Sequence, residues 1–72
     1  MEKKVVIYGK NNCPFTKAAR EAYTRKKIDF QYIDVLQNPA ELDRMLELSK
    51  GERKVPVIVD NYQVIIGYDG KG

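Results

Sequence analysis

The stretch Lys4-Val5-Val6-Ile7-Tyr8-Gly9-Lys10-Asn11-Asn12-Cys13-Pro14-Phe15-Thr16 decides the architecture of this chain. Lys4 to Tyr8 is rich in β-branched and aromatic residues, as a buried strand requires, and Gly9 stops it. Gly9 to Asn12 reads as a loop. Pro14 suits the first position of a helix, where its missing N–H removes no hydrogen bond, so Cys13 falls at the N-cap. Beyond it, Phe15, Ala18, Ala19, Ala22 and Tyr23 recur at i, i+3, i+4, i+7 and i+8, one apolar stripe of an amphipathic helix.

Outward from this unit the chain alternates strands and helices. Arg25-Lys26-Lys27 places positive charge at the end of the first helix, where it complements the helix dipole. Ile28 to Val35 reads as a second strand. Asn38-Pro39-Ala40-Glu41 predicts a helix start with a capping box. Leu42, Met45, Leu46 and Ser49 form that helix's inward stripe, and Gly51 is placed to end it. Val55 to Val59 is a third strand, and Asp60-Asn61 a tight turn into a fourth at Gln63 to Ile66. The order β-α-β-α-β-β predicts one α/β domain over residues 1–72. A right-handed crossover gives a parallel pair, and the hairpin adds an antiparallel edge, making a four-stranded mixed sheet. Gly67, Gly70 and Gly72 loosen the tail.

Composition narrows the function classes. A chain of 72 residues buries only about 60% of its unfolded surface, so its stability margin is thin. One cysteine and no histidine exclude an internal disulfide and a Cys/His zinc site, and no metal is expected. This argues against the secreted, disulfide-stapled class and fits a reducing compartment. Val5 to Tyr8 is too short for a signal-peptide core or a membrane span, so a cytoplasmic protein with no membrane partner is expected. The net charge of +3 is mild and the basic residues are mixed with acids. No nucleic-acid partner is expected from such a pattern.

Cys13 lies where a parallel strand ends and a helix begins, the usual edge for a site in an open α/β sheet. A thiol there faces unpaired N–H groups and the positive end of the helix dipole, so its pKa should be lowered. Lys10 and Lys17 add positive charge nearby. The thiolate is the nucleophile of disulfide exchange. A lone cysteine is more often a small buried apolar residue, but the N-cap position and the polar neighbours Asn11 and Asn12 weigh against that here.

Tyr8 to Thr16 resembles the active-site loop of glutaredoxins, whose pattern is close to Lys-x-x-Cys-Pro-Tyr-Cys. Gly51-Glu52-Arg53-Lys54-Val55-Pro56 resembles that family's Gly-x-Arg-Thr-Val-Pro segment. The resemblance runs from about residue 4 to residue 70. It implies a thioredoxin/glutaredoxin-like fold lacking the family's final helix, and a thiol–disulfide oxidoreductase serving electron transport and cell redox homeostasis. The implied catalytic residues are Cys13, Thr16 and Pro56. The implied substrate- and glutathione-binding residues are Lys10, Pro14, Phe15, Arg53, Val55, Pro56, Gly67, Tyr68 and Asp69. By resemblance Pro56 is cis and faces Cys13, with the Val55 backbone holding an extended peptide such as glutathione. A proline there also reads as a strand start or a rigid turn. Lys10 and Arg53 match family cations for the glutathione carboxylates, solvated surface charge being the other reading. Tyr8 either lines the cleft or packs in the core.

Two departures qualify the resemblance. Thr16 stands where dithiol members carry a second cysteine, so glutathione, another thiol or a partner must complete the cycle. Thr16 either hydrogen-bonds the Cys13 thiolate or is an ordinary helix residue. Gly67-Tyr68-Asp69 replaces the family's Gly-Gly and Asp-Asp pairs and looks more like the electron donors reduced by thioredoxin reductase. Glutathione and thioredoxin reductase are therefore both implied as electron sources, with a disulfide-containing protein or small molecule as substrate. Cys13-Pro14-Phe15-Thr16, the Val-Pro-Val-Ile segment and the Ile-Gly-Tyr ending resemble most nearly the UXX-star selenoprotein-like family, where the first position can be selenocysteine. The alternative function is an iron–sulfur carrier of the monothiol glutaredoxin type, although those proteins carry glycine where this chain has the rigid Pro14. Without the final helix one sheet face is thinly covered, which implies a monomer or a weak dimer.

Overall fold

β-Branched runs become strands and the two proline-led segments become helices. The computed structural model describes residues 5–61 and 63–68, so Lys4, Asp69 and the terminal glycines lie outside the described residues. The elements are β1 (Val5–Gly9), α1 (Pro14–Arg25), β2 (Phe30–Asp34), α2 (Pro39–Leu48), β3 (Val57–Asp60) and β4 (Gln63–Ile66). The sheet order is β2-β1-β3-β4. β1 and β2 are parallel, with Val5 opposite Phe30. The β1–β3 and β3–β4 pairs are antiparallel. The expected four-stranded mixed sheet is therefore present. No helix of the described residues is long and apolar enough to cross a membrane.

Strand alternation divides the core into two layers, because successive side chains leave a strand on opposite faces. Tyr8 joins Val35, Met45, Val55 and Val57 on the side of α2. Val5, Ile7 and Ile58 meet Ala19 of α1 on the other side. Burying each large aliphatic side chain is worth roughly 1.5–3 kcal/mol, enough to hold both helices to a small sheet. Tyr8 thus packs in the core and does not line a cleft.

Several boundaries differ from the sequence expectation for local reasons. β2 begins at Phe30 rather than Ile28, because residues 26–28 close α1. Lys27 adopts the left-handed conformation at φ 57°, and the N–H groups of Lys27 and Ile28 donate to the Thr24 and Tyr23 carbonyls, both at 3.0 Å. α2 ends the same way one residue before Gly51: Lys50 takes φ 58°, and the Gly51 N–H reaches Leu46 O at 2.7 Å. Both are Schellman-type closures built on lysine where glycine is usual.

The expected capping box at Asn38 does not form, since Asn38 makes no side-chain cap bond. Its Nδ2 donates instead to Asp34 O at 3.1 Å, tying the α2 start to the end of β2. β3 runs Val57–Asp60 and not Val55–Val59, so the hairpin loop falls one residue later than expected, with Asn61 at φ 57°.

The inward line of α1 also differs from the expected stripe. Phe15 is only half-buried, whereas Thr16 is wholly buried. Gly9 explains the exchange. A Cβ built on Gly9 would lie 2.5 Å from Thr16 Cγ2 and 2.6 Å from its Oγ1, far inside the ordinary 3.5–4.0 Å contact range. The first turn of α1 therefore sits directly on the backbone at the end of β1.

Gly9→Ala should cost about 1–3 kcal/mol by overpacking this contact. Urea unfolding of variant and wild type measures it; an unchanged midpoint would show that α1 does not depend on the close approach.

Candidate active site around Cys13

Cys13 is a free, half-buried cysteine at the N-cap of α1, with extended backbone at φ −95° and ψ 120°. Its backbone N–H donates to Lys10 O at 3.1 Å, which closes the loop after β1. Its carbonyl accepts the Lys17 N–H at 3.1 Å and starts the helix. The sulfur is turned toward the loop before β3, where the thiol makes a long contact of 3.9 Å with Val55 O. The Val55–Pro56 peptide is cis. Cys13, Val55 and Pro56 are thus brought together from opposite ends of the chain.

Burial pushes the Cys13 thiol up, but other groups outweigh it, and the pKa lies below the ordinary cysteine value. They are the backbone N–H and hydroxyl of Thr16, the backbone N–H of Phe15 and the charge of Lys10. The neutral thiol accepts no side-chain cap bond from the helix N–H groups, and the buried Thr16 Oγ1 has no hydrogen-bond partner. Leaving a buried hydroxyl unpaired costs roughly 1–3 kcal/mol. Ionising Cys13 supplies the missing acceptor, so the unpaired Thr16 hydroxyl favours the thiolate. Of the two expectations for Thr16, the thiolate donor fits this burial. Lys17, expected to add charge at the sulfur, is exposed and is not among the groups that shift it.

The other expected residues divide into those gathered near the sulfur and those that are not. Lys10 and Phe15 are half-buried in the Cys13 loop and first turn, and Pro14 is exposed beside them. Arg53 is exposed on the segment leading to Val55. Gly67 is buried at φ 84°, and its N–H donates to Pro56 O at 2.7 Å, so the end of β4 closes against the cis-proline. Tyr68 packs against the α1-side core of Val5, Ile7, Ala19 and Ile58. Asp69 lies outside the described residues.

The sequence expectation missed Tyr32. Its hydroxyl donates to Asn11 Oδ1 at 2.8 Å, and the Arg20 guanidinium lies 4.0 Å over its ring. Burial raises the Tyr32 pKa, as do the charges of Asp34 and Cys13, with Arg20 opposing. Tyr32 therefore anchors the Cys13 loop and senses the charge of the sulfur. Parallel pairing held part of the signal, because Tyr32, at the centre of β2 opposite Ile7, lies one strand over from the residues that lead into the loop after β1.

Comparison with known proteins agrees with this geometry. The glutaredoxin family model matches residues 5–65. The chain belongs to the glutaredoxin family. It is 34% identical over 65 residues to a glutaredoxin-like 8.6 kDa protein of the rubredoxin operon in Clostridium pasteurianum, covering 90% of this chain and 85% of that one. The fold superposes on the glutaredoxin-like NrdH-redoxin of Escherichia coli with a TM-score of 0.80 at 25% identity, covering 90% of this chain and 83% of that one. A glutaredoxin of Archaeoglobus fulgidus gives a TM-score of 0.78 at 27% identity, covering 90% and 75%. This glutaredoxin-family chain has the thioredoxin/glutaredoxin-like fold and is a thiol–disulfide oxidoreductase in the general sense.

In this glutaredoxin, Thr16→Val should raise the Cys13 pKa toward the free value of about 8.5 and leave stability equal or higher, since an unpaired buried hydroxyl is replaced by a methyl. The pH dependence of Cys13 alkylation, beside thermal unfolding, checks both. An unchanged pKa with lost stability would make Thr16 a packing residue only.

Proposed function

We propose that the chain reduces disulfides and glutathione mixed disulfides through Cys13 as its one nucleophile, with glutathione as the resolving thiol. The observation that carries this is the position of the chain's single cysteine, at a helix N-terminus with a depressed pKa and against the residue before a cis-proline.

In the first step the Cys13 thiolate attacks one sulfur of the substrate disulfide. A new S–S bond forms, the substrate S–S bond breaks, and the leaving thiolate takes a proton from water. In the second step an external thiolate attacks the mixed disulfide, releases Cys13 and departs in a disulfide of its own. With a glutathione mixed disulfide one external glutathione suffices, leaving as glutathione disulfide with the thiol taken from the substrate. Any other disulfide leaves as a mixed disulfide that a second external thiol reduces, so the electrons balance without a second cysteine in this chain. Thr16 stands at the third position after Cys13 and has no thiol to resolve the intermediate.

Several features support glutathione as the external thiol. Lys10 is close enough to act on the sulfur's charge, and Arg53 is exposed beside the Val55 segment. A cation at the thiol and a second on the segment leading to Val55 suit a tripeptide with two carboxylates. The Val55 carbonyl, next to the sulfur, offers a backbone acceptor to an extended peptide. A reducing cytoplasmic setting would supply such a thiol.

Oxidation with glutathione disulfide tests the proposal. Mass spectrometry should show one glutathione adduct on wild type and none on Cys13→Ser, with the adduct removed by excess glutathione. An adduct-free wild type would contradict it. Recovery by a thioredoxin reductase system and not by glutathione would keep Cys13 as nucleophile and replace the electron source.

A further inference from the structure

We propose that the groove between α1 and the edge strand β2 is a docking surface for an acidic, extended segment of the polypeptide whose disulfide Cys13 attacks. The proposal rests on Cys13 being the nucleophile, and it concerns which protein substrates reach it.

The groove measures about 750 Å³ and is lined by Asn11, Lys17, Arg20, Glu21, Arg25 and Phe30, among others. Cys13 is not part of its lining. Asn11, two residues earlier in the same loop, forms the end nearest the sulfur. Past the end of α1 it continues into a smaller hollow of about 240 Å³ that shares Thr24 and Phe30 and reaches Lys27. The helix alongside has 12 residues, hence a length of about 18 Å. An extended peptide covers that distance in roughly five or six residues.

Charge gives the groove its preference. α1 carries Lys17, Arg20 and Arg25 against one carboxylate, Glu21, a formal excess of two positive charges. α2, on the opposite face of the sheet, carries Glu41, Asp43 and Glu47 against Arg44, an excess of two negative charges. The two helices thus carry opposite net charge on opposite faces of the sheet, and an acidic chain is favoured at α1 over α2. Lys17, Glu21 and Arg25 are spaced as an i, i+4 ladder, which alone would be ordinary helix-surface pairing. One carboxylate serves two cations in it, however, and Arg20 stands outside it.

Arg20 is held in place by stacking 4.0 Å over the Tyr32 ring. A stacked guanidinium keeps its in-plane N–H edges for a carboxylate, with little further ordering to lose on binding. Phe30, edge-on to Tyr23 at 6.2 Å, contributes an apolar wall. Among the described residues β2 pairs only with β1, so its outer edge is open beside Phe30, the β2 residue that lines the groove. An extended polypeptide can bond to such an edge while its acidic side chains meet the cations; a nucleic acid offers no strand to pair. The edge and the charge together favour a peptide.

Three peptides of equal length, each carrying one cysteine capped as a mixed disulfide with 2-mercaptoethanol, test the proposal. Their other residues are acidic, neutral or basic. In single-turnover exchange, wild type should react about 10-fold faster with the acidic peptide than with the neutral one at low salt, an advantage that high salt removes. Lys17→Glu/Arg25→Glu should reverse the order while reducing hydroxyethyl disulfide at the wild-type rate. Equal rates for the acidic and neutral peptides, or an acidic preference that survives the double variant, would overturn the docking surface. So would displacement of the acidic peptide by an oligonucleotide of matched charge at lower concentration. The groove is also read without exchange: the acidic peptide should shift amide resonances of α1 and β2 in Cys13→Ser, and shifts confined elsewhere would overturn it. Failure of wild type to react with any disulfide, hydroxyethyl disulfide included, would instead overturn Cys13 as nucleophile.

Discussion

The close approach of α1 to the end of β1 is the constraint on which the site depends. With no side chain at Gly9, the first helical turn drops onto the strand backbone and carries Thr16 into a dry position. That placement aims the start of the helix at the loop before β3 and sets Cys13 against Val55. It also leaves the Thr16 hydroxyl without a partner among the described residues and within reach of the sulfur's charge. Packing between strand and helix is thereby converted into electrostatics at the nucleophile, without a histidine or a second thiol in the sequence.

The balance at Cys13 is a contest between burial and several modest donors. Desolvation opposes the thiolate and is the largest single effect, yet the helix-terminal N–H groups, Thr16 Oγ1 and Lys10 together exceed it. Partial exposure is what allows this outcome, because full burial would enlarge the desolvation penalty while adding no donors. The same half-open position leaves the sulfur accessible to an incoming disulfide. On the far side of the loop, the bond between Tyr32 and Asn11 ties down the segment that carries Lys10.

Much of this was legible in the sequence, and the rest was hidden for identifiable reasons. The βα unit, the parallel pair, the hairpin and the N-cap placement of Cys13 follow from β-branched runs, Pro14 and apolar periodicity. The start of β2 was set too early and the closure of α2 one residue too late, because Lys27 and Lys50 take left-handed conformations that the one-dimensional signal reserves for glycine. Asn38 looked like half of a capping box, but tertiary structure gave its side chain to Asp34 O. The inward face of α1 was assigned to Phe15 since a hydrophobicity pattern has no means of seeing that Gly9 opens a space for Thr16. Tyr32 escaped notice because its role arises from a loop twenty-one residues away. Tyr68 was grouped with the site by resemblance, while its side chain joins the α1-side core.

The central claim is that the fold at Gly9, Thr16 and Lys10 makes Cys13 a thiolate nucleophile. Titrating the ultraviolet thiolate absorbance of wild type, with Cys13→Ser subtracted, measures this directly. The account predicts a midpoint clearly below the free-cysteine value of about 8.5. A midpoint at or above that value would contradict it, since the burial of Cys13 would then outweigh the donors assembled around it.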